Sequence, residues 1–108
     1  MIPINELSFC GNEAKYLKEC IETGWISSEG PFVRRFEERF ASFLGSKHGI
    51  AVSNGTAALE TALFALGVKA GDEVIMPSFT IISCAIACIR LGAKPVLVDI
   101  EPDTCTIE

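Results

Sequence analysis

Ser53-Asn54-Gly55-Thr56-Ala57-Ala58-Leu59 is the stretch on which the reading of the fold turns. Before it, Gly49-Ile50-Ala51-Val52-Ser53 has the look of a buried strand. Asn54-Gly55 is a turn pair. From Thr56 the apolar residues Leu59, Ala62, Leu63 and Leu66 recur at helical spacing. The pattern predicts strand, turn, helix. The first turn of such a helix carries N–H groups without intrahelical acceptors and the positive end of the dipole. A phosphate seated there meets several donors at once. Gly55 has no Cβ, so a ligand can approach the backbone, and Thr56 adds a hydroxyl. Read locally, the same residues also describe a strand–turn–helix capped by Thr56 that holds no ligand.

Working outward, the second half alternates. Gly67 stops the first of its helices and Gly71-Asp72 makes a turn. Glu73-Val74-Ile75-Met76 predicts a short strand broken by Pro77. Residues 80–91 are apolar nearly all round; they fit a helix buried on more than one side or a strand-and-helix mixture, and we favour the helix. Gly92 ends it, and residues 95–99 predict a third strand. Strand–helix–strand–helix–strand with apolar strands implies an α/β layer. Ligands of such sheets gather at strand carboxyl ends, where Ser53-Asn54, Pro77-Ser78 and Asp99-Ile100 fall.

The first half reads as helical. Residues 12–23 predict a helix with Asn12 as its cap, Ala14, Leu17 and Ile21 on one face, and a Lys15–Glu19 pair. Gly24 suits its end. After the loop from Trp25 to Gly30, Pro31 opens a second helix. Phe32, Phe36, Phe40 and Phe43 form a stripe along it, expected to be a packed core face. Arg34, Arg35, Glu37, Glu38 and Arg39 are expected to be its solvated side, and Gly45 its stop.

Composition narrows the function. With 108 residues the chain suits one small domain, and 49% hydrophobic residues is high for that size. So apolar a sequence anticipates surface that more chain or a second subunit covers. A net charge of −5 argues against general affinity for nucleic acid or anionic membrane. No run of about 18 apolar residues occurs, and the first six residues show neither a basic region nor a signal core. The five cysteines, Cys10, Cys20, Cys84, Cys88 and Cys105, are odd in number. A reduced, cytoplasmic setting is therefore expected. Cys84 and Cys88 lie four apart, a spacing open to a shared metal, but no His or second Cys pair accompanies them. Buried small hydrophobes are the favoured reading and no metal is expected.

The nucleoside-triphosphate loop and the Gly-x-Gly-x-x-Gly fingerprint are both absent. What the chain does carry, in order, is Gly24-Trp25-Ile26-Ser27-Ser28-Glu29-Gly30-Pro31, Phe36-Glu37 with Phe40-Ala41, Ala51 through Leu59, Gly71-Asp72-Glu73-Val74-Ile75, Pro77-Ser78-Phe79-Thr80 and Gly92-Ala93-Lys94-Pro95-Val96. These six blocks, from Gly24 to Val96, resemble the start of the DegT/DnrJ/EryC1/StrS sugar aminotransferases, and within them most of all the perosamine synthetases; the resemblance covers roughly residues 3–108.

The resemblance implies the N-terminal part of a fold type I, aspartate-aminotransferase-like large domain: α/β, with an incomplete, mostly parallel sheet and flanking helices. Residues 1–47 would supply N-terminal helices and a loop, and 48–108 a β-α-β-α-β segment. It implies a pyridoxal 5′-phosphate (PLP) enzyme working as a homodimer. The reaction implied is amino transfer from glutamate to a 4-keto-6-deoxy sugar nucleotide, GDP-4-keto-6-deoxymannose for a perosamine synthetase. By position, Gly55, Thr56 and Ala57 would hold the cofactor phosphate, with Ser53 and Asn54 shaping the turn. Ile81 stands where many relatives place an aromatic on the pyridine ring, which forgoes a stacking contribution of ~0.5–1.5 kcal/mol; Phe79 is two residues off. Trp25, Ser27 and Ser28 match a loop bordering the sugar site, and equally suit a packed Trp with turn serines.

Such chemistry also needs a Schiff-base lysine and a carboxylate on the pyridine nitrogen. In the family both lie beyond residue 108, and Lys15, Lys18, Lys47, Lys69 and Lys94 match no such position. His48, the only histidine, reads as structural. The expectation is thus a chain with no catalytic residue of its own, the first part of an aminotransferase and inactive alone. The alternative is a non-catalytic phosphate- or PLP-binding or subunit-interaction module.

Overall fold

The computed structural model describes residues 2, 3 and 5–107. The chain divides into two compact units, Met1–Ala51 and Val52–Glu108.

In the first unit, α1 (Glu13–Thr23) and α2 (Pro31–Leu44) stand where the periodicity puts them. Pro31 is the first residue of α2, where its missing N–H costs nothing. Both helices end on a left-handed glycine, Gly24 (φ 74°) and Gly45 (φ 66°), a conformation that a Cβ disfavours. Two local expectations need correction. Asn12 makes no side-chain cap; the Gly11 N–H donates instead to Glu13 Oε2 at 2.9 Å. The ion pair on α1 is Lys18–Glu22 at 3.6 Å rather than Lys15–Glu19.

The aromatic stripe is also not the packed face it was expected to be. Tyr16 of α1 meets Phe32 with ring centroids 5.3 Å apart, and Phe36 stacks on Phe40 at 5.6 Å. Arg35 lies over the Tyr16 and Phe32 rings, 5.0 and 4.6 Å from their centroids, a cation–π contact rather than a solvated charge. Phe36, Phe40 and Phe43 stay 57%, 48% and 83% exposed. Two helices of 11 and 14 residues that meet around Tyr16, Phe32 and Arg35 provide, among the described residues, no third layer to cover the stripe.

Residues 49–53 are the main correction: no strand forms there. A strand needs a ladder partner, and the chain beside Gly49 is α2 instead. The Ala51 N–H donates to Glu37 Oε1 at 2.8 Å, and a Cβ on Gly49 would fall 2.7 Å from the Glu37 carbonyl oxygen. The β-branched sequence extends the chain but finds no backbone to pair with.

The second unit runs α3 (Gly55–Ala65), β1 (Glu73–Pro77), α4 (Ser83–Arg90) and β2 (Lys94–Val98). The strands pair in parallel, Glu73 opposite Lys94 through Pro77 opposite Val98. Pro77 sits at the last position of its strand, where a missing donor is tolerated, and the Ser78 N–H extends the ladder to the Val98 carbonyl at 2.9 Å. Met76, Cys88 and Ala93 form the core, with Leu63, Val68, Val74, Cys84 and Ala85 against it. The architecture is α/β, helices beside a small open parallel sheet. α4 begins at Ser83 rather than Thr80, because Thr80-Ile81-Ile82 is a β-branched run poorly suited to a first turn. After β2, Glu101 Oε2 accepts the N–H groups of Asp103 and Thr104 at 3.1 and 2.7 Å. Hydrogen bonding from Thr104, then Asp103, holds the Glu101 carboxyl below the usual carboxylate range.

Candidate functional site

The start of α3 is organised by Asn54. Its backbone is extended (φ −167°, ψ 172°), and its Oδ1 accepts the Ala57 N–H at 2.9 Å. Its carbonyl takes the Ala58 N–H at 3.1 Å. The cap is therefore Asn54, not Thr56, and Asn54 Nδ2 donates back to Ser53 Oγ at 3.3 Å. The Gly55 and Thr56 N–H groups, and the Thr56 hydroxyl, have no partner among the described residues. They are the orphan donors that any helix start leaves over once its cap has taken one.

Thr56 borders a cavity of about 520 Å³ lined by Ser53, Asn54, Thr56, Ala57, Glu60, Ile86 and Arg90; Gly55, at the same helix start, is not part of that lining. A Cβ on Gly55 would meet no atom of the described residues within 4 Å beyond its own turn. Donors with no acceptor, a dipole end and open volume fit an anion the size of a phosphate. Of the residues expected here, Asn54, Thr56 and Ala57 line one cavity, and Ala57 does so with its N–H already used. Ile81 lies between β1 and α4, 68% exposed and off the cavity lining, as does Phe79 at 70%. Trp25, Ser27 and Ser28 belong to the Met1–Ala51 unit, in the turn after α1, with Trp25 half-exposed and packed by Gly30.

Glu60 and Arg90 were not anticipated. Arg90 Nη1 lies 2.5 Å from Glu60 Oε1, tying α4 to α3. The pairing is 30 positions apart in sequence, beyond the reach of local periodicity. Its one legible signal is that each is the sole charged residue of an otherwise uncharged helix.

Among the described residues no three His, Cys, Asp or Glu come together to hold a metal, and all five cysteines are free thiols. Cys88 is 1% exposed and is a core residue. No described helix is long and apolar enough to cross a membrane.

Comparison with known proteins gives a consistent answer. The model of the DegT/DnrJ/EryC1/StrS aminotransferase family matches residues 9–108. GDP-perosamine synthase of Vibrio cholerae is 49% identical over 107 residues, which is 99% of this chain and 29% of that protein. GDP-perosamine synthase of Caulobacter vibrioides is 51% identical over 98 residues, 91% of this chain and 26% of that one. A provisionally assigned sugar aminotransferase of Streptococcus pneumoniae, solved in its PLP form, superposes with a TM-score of 0.89 at 32% identity, over 99% of this chain and 27% of the other. The chain thus spans between a quarter and three-tenths of the length of these relatives.

Proposed function

The chain belongs to the DegT/DnrJ/EryC1/StrS aminotransferase family, and from that premise we propose that it forms the phosphate-gripping part of a PLP-dependent nucleotide-sugar aminotransferase. The observation that carries the proposal is the pair of unpartnered N–H groups at Gly55 and Thr56 at a helix start, with Thr56 on the lining of an open cavity. PLP, when bound, supplies the electron sink for moving an amino group. The part of this chain is to bind and orient. Gly55 and Thr56 donate to the phosphate from the backbone, Thr56 adds a charge-assisted bond from Oγ1, and Asn54 fixes the first turn that aims them. Ile81 would cover the pyridine ring with an aliphatic side chain, and Trp25, Ser27 and Ser28 would border the sugar.

Identity of about half to two GDP-perosamine synthases supports a GDP-linked sugar as the acceptor; GDP-4-keto-6-deoxymannose, glutamate as amino donor and a homodimer are what the family resemblance adds to this reading.

The test is a fluorescence titration of PLP into the protein that carries this chain, with inorganic phosphate as competitor. Gly55→Ala is the decisive variant, because the protein itself has room for the added methyl. It should leave the melting temperature intact or raise it, and weaken PLP about tenfold by crowding the phosphate. Unchanged PLP affinity overturns the reading. For the acceptor, mass spectrometry after incubation of the PLP-loaded protein with glutamate and GDP-4-keto-6-deoxymannose should show the amino sugar nucleotide; an unconsumed acceptor overturns that assignment alone.

A further inference from the structure

We infer that Arg90 is a positioning residue for the bound phosphate: it cancels the charge of Glu60, which otherwise stands in the cavity against an anion. The inference rests on the phosphate reading above and adds residues to it that the family blocks do not contain.

α3 carries a single charged residue, Glu60, and α4 a single one, Arg90. Both line the cavity that opens at Thr56. Glu60 is four residues after Thr56, so the two share one face of α3. Its side chain is only 27% exposed, which limits the solvent available to screen it. A bare carboxylate there opposes a phosphate dianion bound one turn below it and offsets what the helix start offers. Arg90 reaches across from the last turn of α4 and takes up that carboxylate through Nη1. The test separates charge from tethering.

PLP dissociation constants are to be measured by fluorescence titration in the protein that carries this chain, for wild type, Arg90→Met, Glu60→Gln and the double variant. Pyridoxal, which lacks the phosphate, is titrated in parallel. Arg90→Met should weaken PLP about tenfold and leave pyridoxal unchanged. The double variant lacks the tie yet should recover to about the wild-type constant, since no lone charge remains. Glu60→Gln alone should bind PLP as tightly as wild type or about threefold more tightly, and it carries the test should Arg90→Met not fold. A double variant as weak as Arg90→Met, a loss shared equally by pyridoxal, or a weakened Glu60→Gln overturns the inference and leaves a plain tether. Failure of the phosphate reading is distinguishable: wild-type PLP binding would then be indifferent to inorganic phosphate and to Gly55→Ala, and the role of Arg90 would fall with it.

Discussion

Lys94 Nζ lies 2.8 Å from Glu73 Oε1, and the same two residues are partners on the first rung of the parallel ladder. Side chains and register thus agree at the point where β1 and β2 begin, and the Lys94 N–H adds a bond to the Asp72 carbonyl at 2.8 Å. The Lys94 hydrogen bond first, and its charge second, hold the Glu73 carboxyl below its ordinary 4.5; the reciprocal contacts hold Lys94 above 10.5.

The sign of the pH dependence follows. Folding lowers the Glu73 value, so its contribution is present above about 4.5 and is lost as pH falls through the folded value. Folding raises the Lys94 value, so that contribution is present below about 10.5 and is lost as pH rises through the folded value. Both side chains are well exposed, so the effect is small and sensitive to salt. Melting temperature against pH should fall less steeply in acid for Lys94→Met than for wild type, and the difference should shrink at high salt. Superimposable acid limbs would remove the pair from the stability of the sheet.

Asn54 is the side-chain cap of α3, accepting the Ala57 N–H. Asn54→Ala should cost about 1 kcal/mol in urea denaturation, while Asn54→Asp should retain most of the stability. Equal losses in both would mean that the amide nitrogen, not Oδ1, is what matters.

Thr56→Ala removes a hydroxyl with no partner among the described residues. Stability should hardly change, and PLP binding should weaken by about 1–2 kcal/mol, with Thr56→Ser close to wild type. An equal loss for pyridoxal would place the hydroxyl away from the phosphate.

Gly49 crosses α2 where a Cβ would meet a backbone oxygen, not a yielding side chain. Gly49→Ala should therefore destabilise by about 1–3 kcal/mol in calorimetry. A neutral result would show that residues 46–51 can lift from the helix without penalty.

Much of this was readable in the sequence wherever the signal is local. The αL glycines at 24 and 45, Pro31 and the 3.6-residue spacing of α3 each act within one element, and each element formed where they indicated. The misses share a cause, which is dependence on distant partners. Gly49-Ile50-Ala51-Val52-Ser53 has strand composition, but strands exist in pairs and α2 occupies the adjacent position. The Phe36, Phe40, Phe43 face has the spacing of a core, but spacing does not say what lies opposite. In the candidate site, Asn54, Thr56 and Ala57 were legible as a helix start. Glu60, Ile86 and Arg90 join them only because α4 lies along α3.

The near-total enclosure of Cys88, against the exposure of Cys10 and Cys105 and the partial burial of Cys20 and Cys84, gives the protein an internal clock. A maleimide reagent should modify the outer thiols at once and reach Cys88 only during excursions that part β1 from α4. The rate of that last modification, followed by mass spectrometry, therefore times the breathing of the second unit without any introduced probe. Slower labelling of Cys88 in the presence of PLP would show that a molecule held at the start of α3 quiets motion in the interior beside it.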